Sequence, residues 1–426
     1  MVLISLIFAV LLILGAPIAF SIGISGFAFF ANSEVMPLSI GVQKIATASQ
    51  SFPLLAVPFF VLTGHLMNES GISDRLFRVA HVTVGWMAGG LAQVSIIMST
   101  LMGGVSGAAV ADAAMEARVL GPQMIQHGYS RGYAAAVIAL SSLITATIPP
   151  SIGLILYGYV GQVSIGRLFI GGIVPGLLMM LLLMIAAWVV AKRRNYVVKS
   201  SNPPTLKLAI EAILDAKWAL LFPLLLIVTI RGGLFTPSEV GSFAVVYSVL
   251  VGALAHRELN FAGIKRALGH ALSDIGLIML IILLSGMIGF AIIFLRVPQE
   301  IAGYLLEGLT NPIAVVGLIL ISLFIAGLFF ESTILVLLLT PIFVPIVKQI
   351  GFDTVHFGIL MMTIVTLGSM TPPVGVAMYT VCSLIECDID QYFWESLPFL
   401  MAIFLLVLII LFFPQLVLFL PNLAFS

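Results

Sequence analysis

The chain has 426 residues, of which 61% are apolar and 8% charged, with 18 basic and 18 acidic side chains and no net charge. A soluble domain carries about a quarter charged residues, so this composition excludes a soluble fold. The zero net charge says nothing about nucleic acid, since the distribution of charge matters instead, and no nucleic-acid partner is expected. Several segments exceed the ~20 apolar residues that cross a bilayer, and the chain reads as an all-α polytopic membrane protein.

In chain order the apolar patterning predicts spans over Val2–Phe30, Ser49–Met67, Tyr133–Val160, Phe169–Ala191, Trp218–Ile230, Val240–Ala255, Ile275–Leu295, His356–Leu384 and Leu397–Leu420. The first is read as a retained span, because it has neither a basic start nor a small-residue cleavage site. Trp86–Leu120 and Pro312–Val347 are apolar but interrupted by small residues. They read as re-entrant hairpins, over 86–120 and 312–347. The short amphipathic stretches Ser73–Val84 (a helix over 71–84) and Pro298–Leu309 precede them, and are expected to lie in the interface as arms. Lys192–Lys217 is the connector between a first repeat, 1–191, and a second, 218–426. The spans 133–160 and 356–384 are expected to be broken. Cys382 and Cys387, the chain's two cysteines, are expected to be inert.

The division into halves rests on a repeat. Gly104 to Pro150 maps onto Gly327 to Pro373 without a gap, at an offset of 223 residues (327 − 104). Pro122 pairs with Pro345, Gly128 with Gly351, Tyr129 with Phe352, and Pro149-Pro150 with Pro372-Pro373. Paired, Gly/Pro-interrupted segments in matching positions of two halves point to the binding site of a secondary transporter.

Charge sets the orientation. Lys192–Lys217 holds six basic residues against two acids, which places it in the cytoplasm. With hairpins at both repeats, Arg75, Arg78, Arg118, Arg131, Arg257, Lys265 and Arg266 fall on the same side. Six and seven make 13 of the 18 basic residues. Only Lys44, Arg167, Arg231, Arg296 and Lys348 remain outside. The repeats are then inverted: the first hairpin opens inward, the second outward, with the N-terminus inside and the C-terminus outside.

The interruptions carry the chemistry. Gly103-Gly104-Val105-Ser106-Gly107 breaks a helix and exposes its backbone. Such backbone is tolerated in a membrane only where protein buries it or a wet cavity meets it. A helix restarting after Ser106 presents free N–H groups and its positive dipole end. The preceding limb presents carbonyls. In Thr145-Ala146-Thr147-Ile148-Pro149-Pro150-Ser151 two prolines force an unwound stretch, leaving the carbonyls of 145–148 free. The counterparts are Gly327–Ser332 and Gly368-Ser369-Met370-Thr371-Pro372-Pro373. Each tip beside its own broken helix makes an oxygen-rich cage, and symmetry predicts two. Na⁺ suits such hard ligands, and no His/Cys/carboxylate cluster suits a transition metal. Asp112 sits in an apolar run, where an acid costs about 2.5–3.5 kcal/mol. It either binds a cation, meets substrate hydroxyls or ties the hairpin to a neighbour. Its repeat-related position is Leu335. Glu331 at the second tip has the same alternatives. Asp274 is placed near the interface, and His65, His81 and His356 read as structural.

These residues resemble the large membrane subunit of the tripartite ATP-independent periplasmic (TRAP) transporters. The resemblance runs over most of the chain, through GGVSGAAVADAAMEARVLGPQM, IPPSIGLILYGYV, FIGGIVPGLLM, GGLFTPSEVGSFAVVYSVLVGALAHREL and MTPPVGVAMYTV. The family's first tip commonly reads Ser-Gly-Ser. Here Ser106-Gly107-Ala108 lacks the second hydroxyl and keeps the backbone. The resemblance implies an elevator-type fold similar to the ion transporter superfamily, in a bacterial inner membrane. It implies a periplasmic substrate-binding protein that delivers an organic acid, a small membrane subunit as a separate polypeptide, and two or more coupling Na⁺ ions. It implies one Na⁺ site at Gly103, Ser106, Thr145 and Ile148, and another at Gly327, Gly368, Met370 and Thr371. Substrate is expected near Ser106, Asp112, Ser151 and Pro373. The family's substrates include C4-dicarboxylates, sialic acids, sugar acids and keto acids.

Other classes fit less well. A channel needs a charged ring or filter-like repeat, and an intramembrane enzyme needs a nucleophile with its base or a metal triad. The sequence displays none of these. A stand-alone Na⁺/carboxylate symporter without a binding protein is the alternative.

Overall fold

The computed structural model describes residues 2–196, 203–308 and 311–425. Every regular element among them is helical. The first group comprises α1 (Val2–Ile13), α2 (Ile18–Ala31), α3 (Leu38–Ser49), α4 (Ala56–Glu69) and α5 (Ile72–Val84). Next come the hairpin arms α6 (Gly90–Gly103) and α7 (Ala109–Gln126). They are followed by α8 (Arg131–Ser141), α9 (Leu143–Thr147), α10 (Ile152–Gly161) and α11 (Ile165–Arg194). The second half opens with α12 (Leu206–Asp215), α13 (Lys217–Arg231), α14 (Pro237–Leu250), α15 (Phe261–Phe294) and α16 (Val297–Gly308). Its hairpin is α17 (Pro312–Gly327) and α18 (Ser332–Gln349), followed by α19 (Thr354–Ser369), α20 (Val376–Ile385), α21 (Ile389–Phe412) and α22 (Gln415–Ala424).

Two expected spans are divided. Val2–Phe30 is two helices, because Gly15 takes a positive φ and Pro17 starts a new helix. The span over Ser49–Met67 is the continuous helical segment Phe52–Glu69, which α3 precedes at a bend of 56°. Leu397–Leu420 is divided at Pro414. The first hairpin extends past residue 120, with Pro122 inside α7. The connector 192–217 contains the end of α11 and all of α12, and residues 197–202 lie outside the described set, as do 309–310 at the end of the second arm.

The repeat persists in three dimensions. α7 and α18 are each 18 residues long and start 223 residues apart (332 − 109). Both end on a glycine of positive φ, Gly128 and Gly351. The next N–H closes the turn in each, Tyr129 to Met124 O and Phe352 to Val347 O, both at 3.1 Å. Tyr129 then stacks on Tyr133 as Phe352 stacks on His356. Both Pro-Pro bonds, 149–150 and 372–373, are cis. Past them the register slips by one. The N-caps of α10 and α20 are Ser151 and Gly375, and those of α11 and α21 are Ser164 and Asp388, all at an offset of 224.

Arm length explains the hairpins. The 14 residues of α6 reach ~21 Å at 1.5 Å per residue, short of the ~30 Å hydrocarbon core. The chain therefore turns back at the tip. In the 34-residue α15 the apolar part from Ile275 onward matches the ~30 Å core, and the N-terminal part with Lys265 and Arg266 extends beyond it. The broken helices are apolar all round and buried, every residue of Gly132–Ser141 and Val355–Ser369 included. They form the centre of one unit, α6–α11 with α17–α22. The helices α1–α4 with α12–α15 form a second unit, a scaffold. α5 and α16 join the scaffold to the hairpins. Arg75 bonds Glu258 at 2.8 Å and Arg78 bonds Asp215 at 3.3 Å, which pins α5 to the scaffold.

Close packing inside the hairpin unit generates a prediction. A Cβ on Gly172 would lie 2.1 Å from the carbonyl oxygen of Thr147, whereas one on Gly317 meets nothing within 4 Å. Gly172→Ala is expected to cost about 1–3 kcal/mol and to lower the unfolding temperature of the purified protein. Gly317→Ala is expected to leave it unchanged.

Candidate functional site

Both hairpin tips press on the broken helix of their own repeat. The Ile152 N–H donates to Gly107 O at 3.4 Å, and the Gly375 N–H donates to Leu328 O at 3.0 Å. Gly107 has a φ of 66°, and a Cβ there would lie 2.0 Å from Pro150 O, so only glycine fits. Gly103 lies against Thr145 and Ile148, where a Cβ would approach to 3.2 and 3.0 Å. Gly327 meets Gly368 backbone to backbone. The structure thus brings Gly103, Thr145 and Ile148 together, and likewise Gly327 and Gly368.

Details of the carbonyl supply differ from expectation. Ala146 O is not free: it accepts the Ser151 hydroxyl at 2.6 Å. Thr145 Oγ1 donates to Ser99 O at 3.0 Å. In the second repeat Met370 O accepts the Tyr392 hydroxyl at 2.6 Å, and Thr371 Oγ1 donates to Leu367 O at 2.7 Å. Around Gly375 the oxygens gather. A Cβ there would lie 2.7 Å from Thr371 O and 3.1 Å from Ser369 O.

Between the two tips and the scaffold lies a cavity of about 570 Å³. The first tip supplies Ser106 to Asp112, the second Glu331 to Ile334, and the first break Ser151 to Gly153. Scaffold helix α4 contributes Gly64, His65 and Asn68, and α15 contributes Asp274 and Ile278. Of the expected substrate residues, Ser106, Asp112 and Ser151 line this cavity. Pro373, which is exposed, is not among the lining residues, nor are Gly368, Met370 and Thr371. Ser106 Oγ donates a short hydrogen bond to Asp112 Oδ2, so this acid closes the tip on itself. Ser106 also packs against Gly64, where a Cβ would lie 3.5 Å away. Glu331 is the N-cap of α18 and accepts from Thr333 N at 2.9 Å.

Two features escaped the sequence reading. Asp274, expected at the interface, faces the cavity, and His65 Nε2 is 2.8 Å from its Oδ2. Asp274 stands immediately before the apolar run that begins at Ile275, which agrees with a place near the interface, and its pairing with a histidine of another helix had no local signal. Glu116, one helical turn after Asp112, is buried inside the first hairpin. It accepts from Ser95 and Ser99, both at 2.7 Å, and Ser141 of α8 lies 3.2 and 3.0 Å from those two hydroxyls. The network ties both hairpin arms to the broken helix.

The geometry defines a polytopic all-α transporter of inverted repeats, with a ligand cavity where two re-entrant tips meet a scaffold. Residues 5–416 match the family described as "Tripartite ATP-independent periplasmic transporter, DctM component", and the chain belongs to that family. It is 34% identical to the sialic acid TRAP transporter large permease protein SiaM of Vibrio cholerae, over 97% of this chain and 96% of that one. It is also 34% identical to the isethionate TRAP transporter permease protein DctMQ of Oleidesulfovibrio alaskensis, over 95% of this chain but only 63% of that longer protein. The 2,3-diketo-L-gulonate TRAP transporter large permease protein YiaN of Escherichia coli is 31% identical over 95% of both. Among solved structures, the YdaH transporter of Alcanivorax borkumensis shares the fold, with a TM-score of 0.66 at 13% identity, covering 97% of this chain and 98% of that one.

Glu116 gives the test of this site's framework. Glu116→Ala strands two buried hydroxyls, those of Ser95 and Ser99, and is expected to cost about 1–3 kcal/mol in thermal unfolding. Glu116→Gln keeps an acceptor and is expected to retain most of the stability. Equal losses would show that the carboxyl is not the acceptor holding the network.

Proposed function

We propose that this chain carries out Na⁺-coupled secondary uptake of an organic acid, of the sialic acid or C4-dicarboxylate type, across a bacterial inner membrane. A periplasmic binding protein delivers the solute, a small membrane subunit completes the permease, and lipid surrounds both. The single observation that carries this reading is the convergence of two inverted re-entrant tips on one cavity against a separate scaffold. Unwound backbone and half-helix ends of this kind are what bind anionic groups and alkali cations in secondary transporters. Na⁺ is held by Gly103, Ser106, Thr145 and Ile148 at one tip, and by Gly327, Gly368, Met370 and Thr371 at the other. The substrate lies at Ser106, Asp112 and Ser151. The names of the relatives, which include sialic acid and diketogulonate transporters, support the substrate class.

Movement is proposed to follow an elevator path. Support comes from the chemistry of the boundary. Ion pairs among the described residues lie within the hairpin unit, lie within the scaffold, or run from α5. Arg131–Glu386 and Arg194–Glu395 lie in the first, Arg266–Glu69 and His65–Asp274 in the second. Apolar pairs such as Phe60–Phe169 and Phe8–Phe330 cross the boundary. An apolar seam offers no polar bonds to break when one unit slides.

Uptake into proteoliposomes holding this chain and its small subunit, with and without an inward Na⁺ gradient and the binding protein, tests the reading. Uptake is expected to need both. Uptake with Na⁺ alone would indicate a stand-alone symporter. Ser106→Leu and Thr371→Leu are each expected to reduce Na⁺-dependent uptake to background, and unchanged uptake in either would contradict that ion site.

A further inference from the structure

The far end of the second broken helix holds a pair of thiols that the transport reading does not use. Helix α20 closes with Glu386 at a φ of 55°, and the Cys387 N–H returns to Cys382 O at 2.9 Å. A helix closed in this way brings the residue after the turn onto its last turn, here Cys387 onto Cys382. The two thiols hydrogen-bond to each other, and neither is in a disulfide. The first repeat builds the same corner without sulfur. There Gln162 has a φ of 52°, and the Val163 N–H returns to Gly158 O at 2.9 Å. Gly158 and Val163 stand 224 residues before Cys382 and Cys387 (382 − 158 and 387 − 163). The backbone closes equally well over both pairs, so the cap itself does not require the thiols.

The two sulfurs are placed differently. Cys382 is buried, and Cys387 is half-buried in the turn beyond the helix. The hydrogen bond from Cys382 holds the Cys387 thiol below its ordinary range. The Tyr392 N–H acts in the same direction, while burial and the Asp388 and Glu395 carboxylates oppose it. A thiol with raised thiolate content, within reach of solvent and beside a second cysteine, is the arrangement that peroxides oxidise. The corner lies at the connector's end of the molecule. Arg131 bonds Glu386 at 2.8 Å, and Arg194 in the last turn of α11 bonds Glu395. The positive charge of that end assigns it to the cytoplasm, where thiols are kept reduced and disulfides are transient.

We propose that Cys382 and Cys387 form a reversible thiol–disulfide site that hydroperoxides oxidise from the cytoplasmic side. The Cys387 thiolate attacks one peroxide oxygen, and the O–O bond breaks. Cys387 becomes a sulfenic acid, and the other oxygen leaves as an alcohol, or as water from hydrogen peroxide, with the thiol's proton. The Cys382 sulfur then attacks the Cys387 sulfur. An S–S bond forms, the S–O bond breaks, and the hydroxyl leaves as water with the Cys382 proton. Two electrons pass from the sulfurs to the peroxide, and a cellular dithiol returns them. The bond closes at the corner from which α21 departs, and Tyr392 in the first turn of that helix holds Met370 O.

The experiment is intact-mass analysis and thiol labelling of this chain, taken from its purified complex with the small subunit in nanodiscs, after exposure to hydrogen peroxide. Both thiols are expected to disappear, with a mass loss of two hydrogen atoms and no cross-link between chains, and dithiothreitol is expected to restore both. Cys382→Ser is expected to stop at a sulfenic acid on Cys387 that dimedone traps. Cys387→Val, which copies the corner of the first repeat, is expected to lose the Cys382 thiol about tenfold or more slowly than Cys382→Ser loses that of Cys387. Wild-type chain that keeps both thiols, gains oxygen in place of losing hydrogen, or cross-links to a second chain overturns the inference. Faster oxidation in Cys387→Val than in Cys382→Ser overturns the assignment of Cys387 as the attacking thiol. None of these readouts depends on transport.

Discussion

An unwound peptide inside a bilayer has no water to satisfy it, and most of this structure follows from that constraint. Four helices are interrupted at hydrophobic depth. Each interruption is supported by another: the Gly107 carbonyl by Ile152 N–H, the Leu328 carbonyl by Gly375 N–H. Glycine at 103, 107, 327 and 368 permits the backbone-to-backbone approach that this needs. The tips cannot separate from the broken helices without exposing polar groups to lipid. Hairpin and broken helix therefore form one body.

The scaffold is built on different terms. Its helices meet the hairpin unit through aromatic and aliphatic side chains, and its ion pairs close on themselves. The arm α5 carries Arg75 and Arg78 to the scaffold side while leading directly into the hairpin. Side-chain hydrogen bonds within each unit and apolar packing between them are what the proposed relative movement requires. They also concentrate the exposed polar groups in one place, the cavity, where tip and scaffold residues face each other.

Much of this was legible in the sequence, and the reason is locality. Pro-Pro, Gly-rich tips and hairpin length act through backbone sterics within a few residues, so the repeat, the breaks and the hairpins could be read directly. What the sequence did not display depends on partners far away. Asp274 meets His65 across 209 positions, and Glu116 is understood only once Ser95, Ser99 and Ser141 surround it. The one-residue slip after Pro373 replaces the Ser151 cap with Gly375. The gapless alignment ended at that proline and carried no sign of the slip. Pro17 and Pro414 divide spans that hydropathy alone ran together.

The central claim is that α6–α11 and α17–α22 move as one body against the scaffold. Paired spin labels test it most directly in nanodiscs. One pair spans the boundary, at the exposed positions Arg118 on α7 and Leu272 on α15, and one lies within the hairpin unit, at Arg118 and Gln391 on α21. The account predicts two distance populations for the first pair, with a ratio that shifts on adding Na⁺ and substrate, and one unchanging population for the second. A single fixed distance across the boundary, or a shift within the hairpin unit, would contradict it.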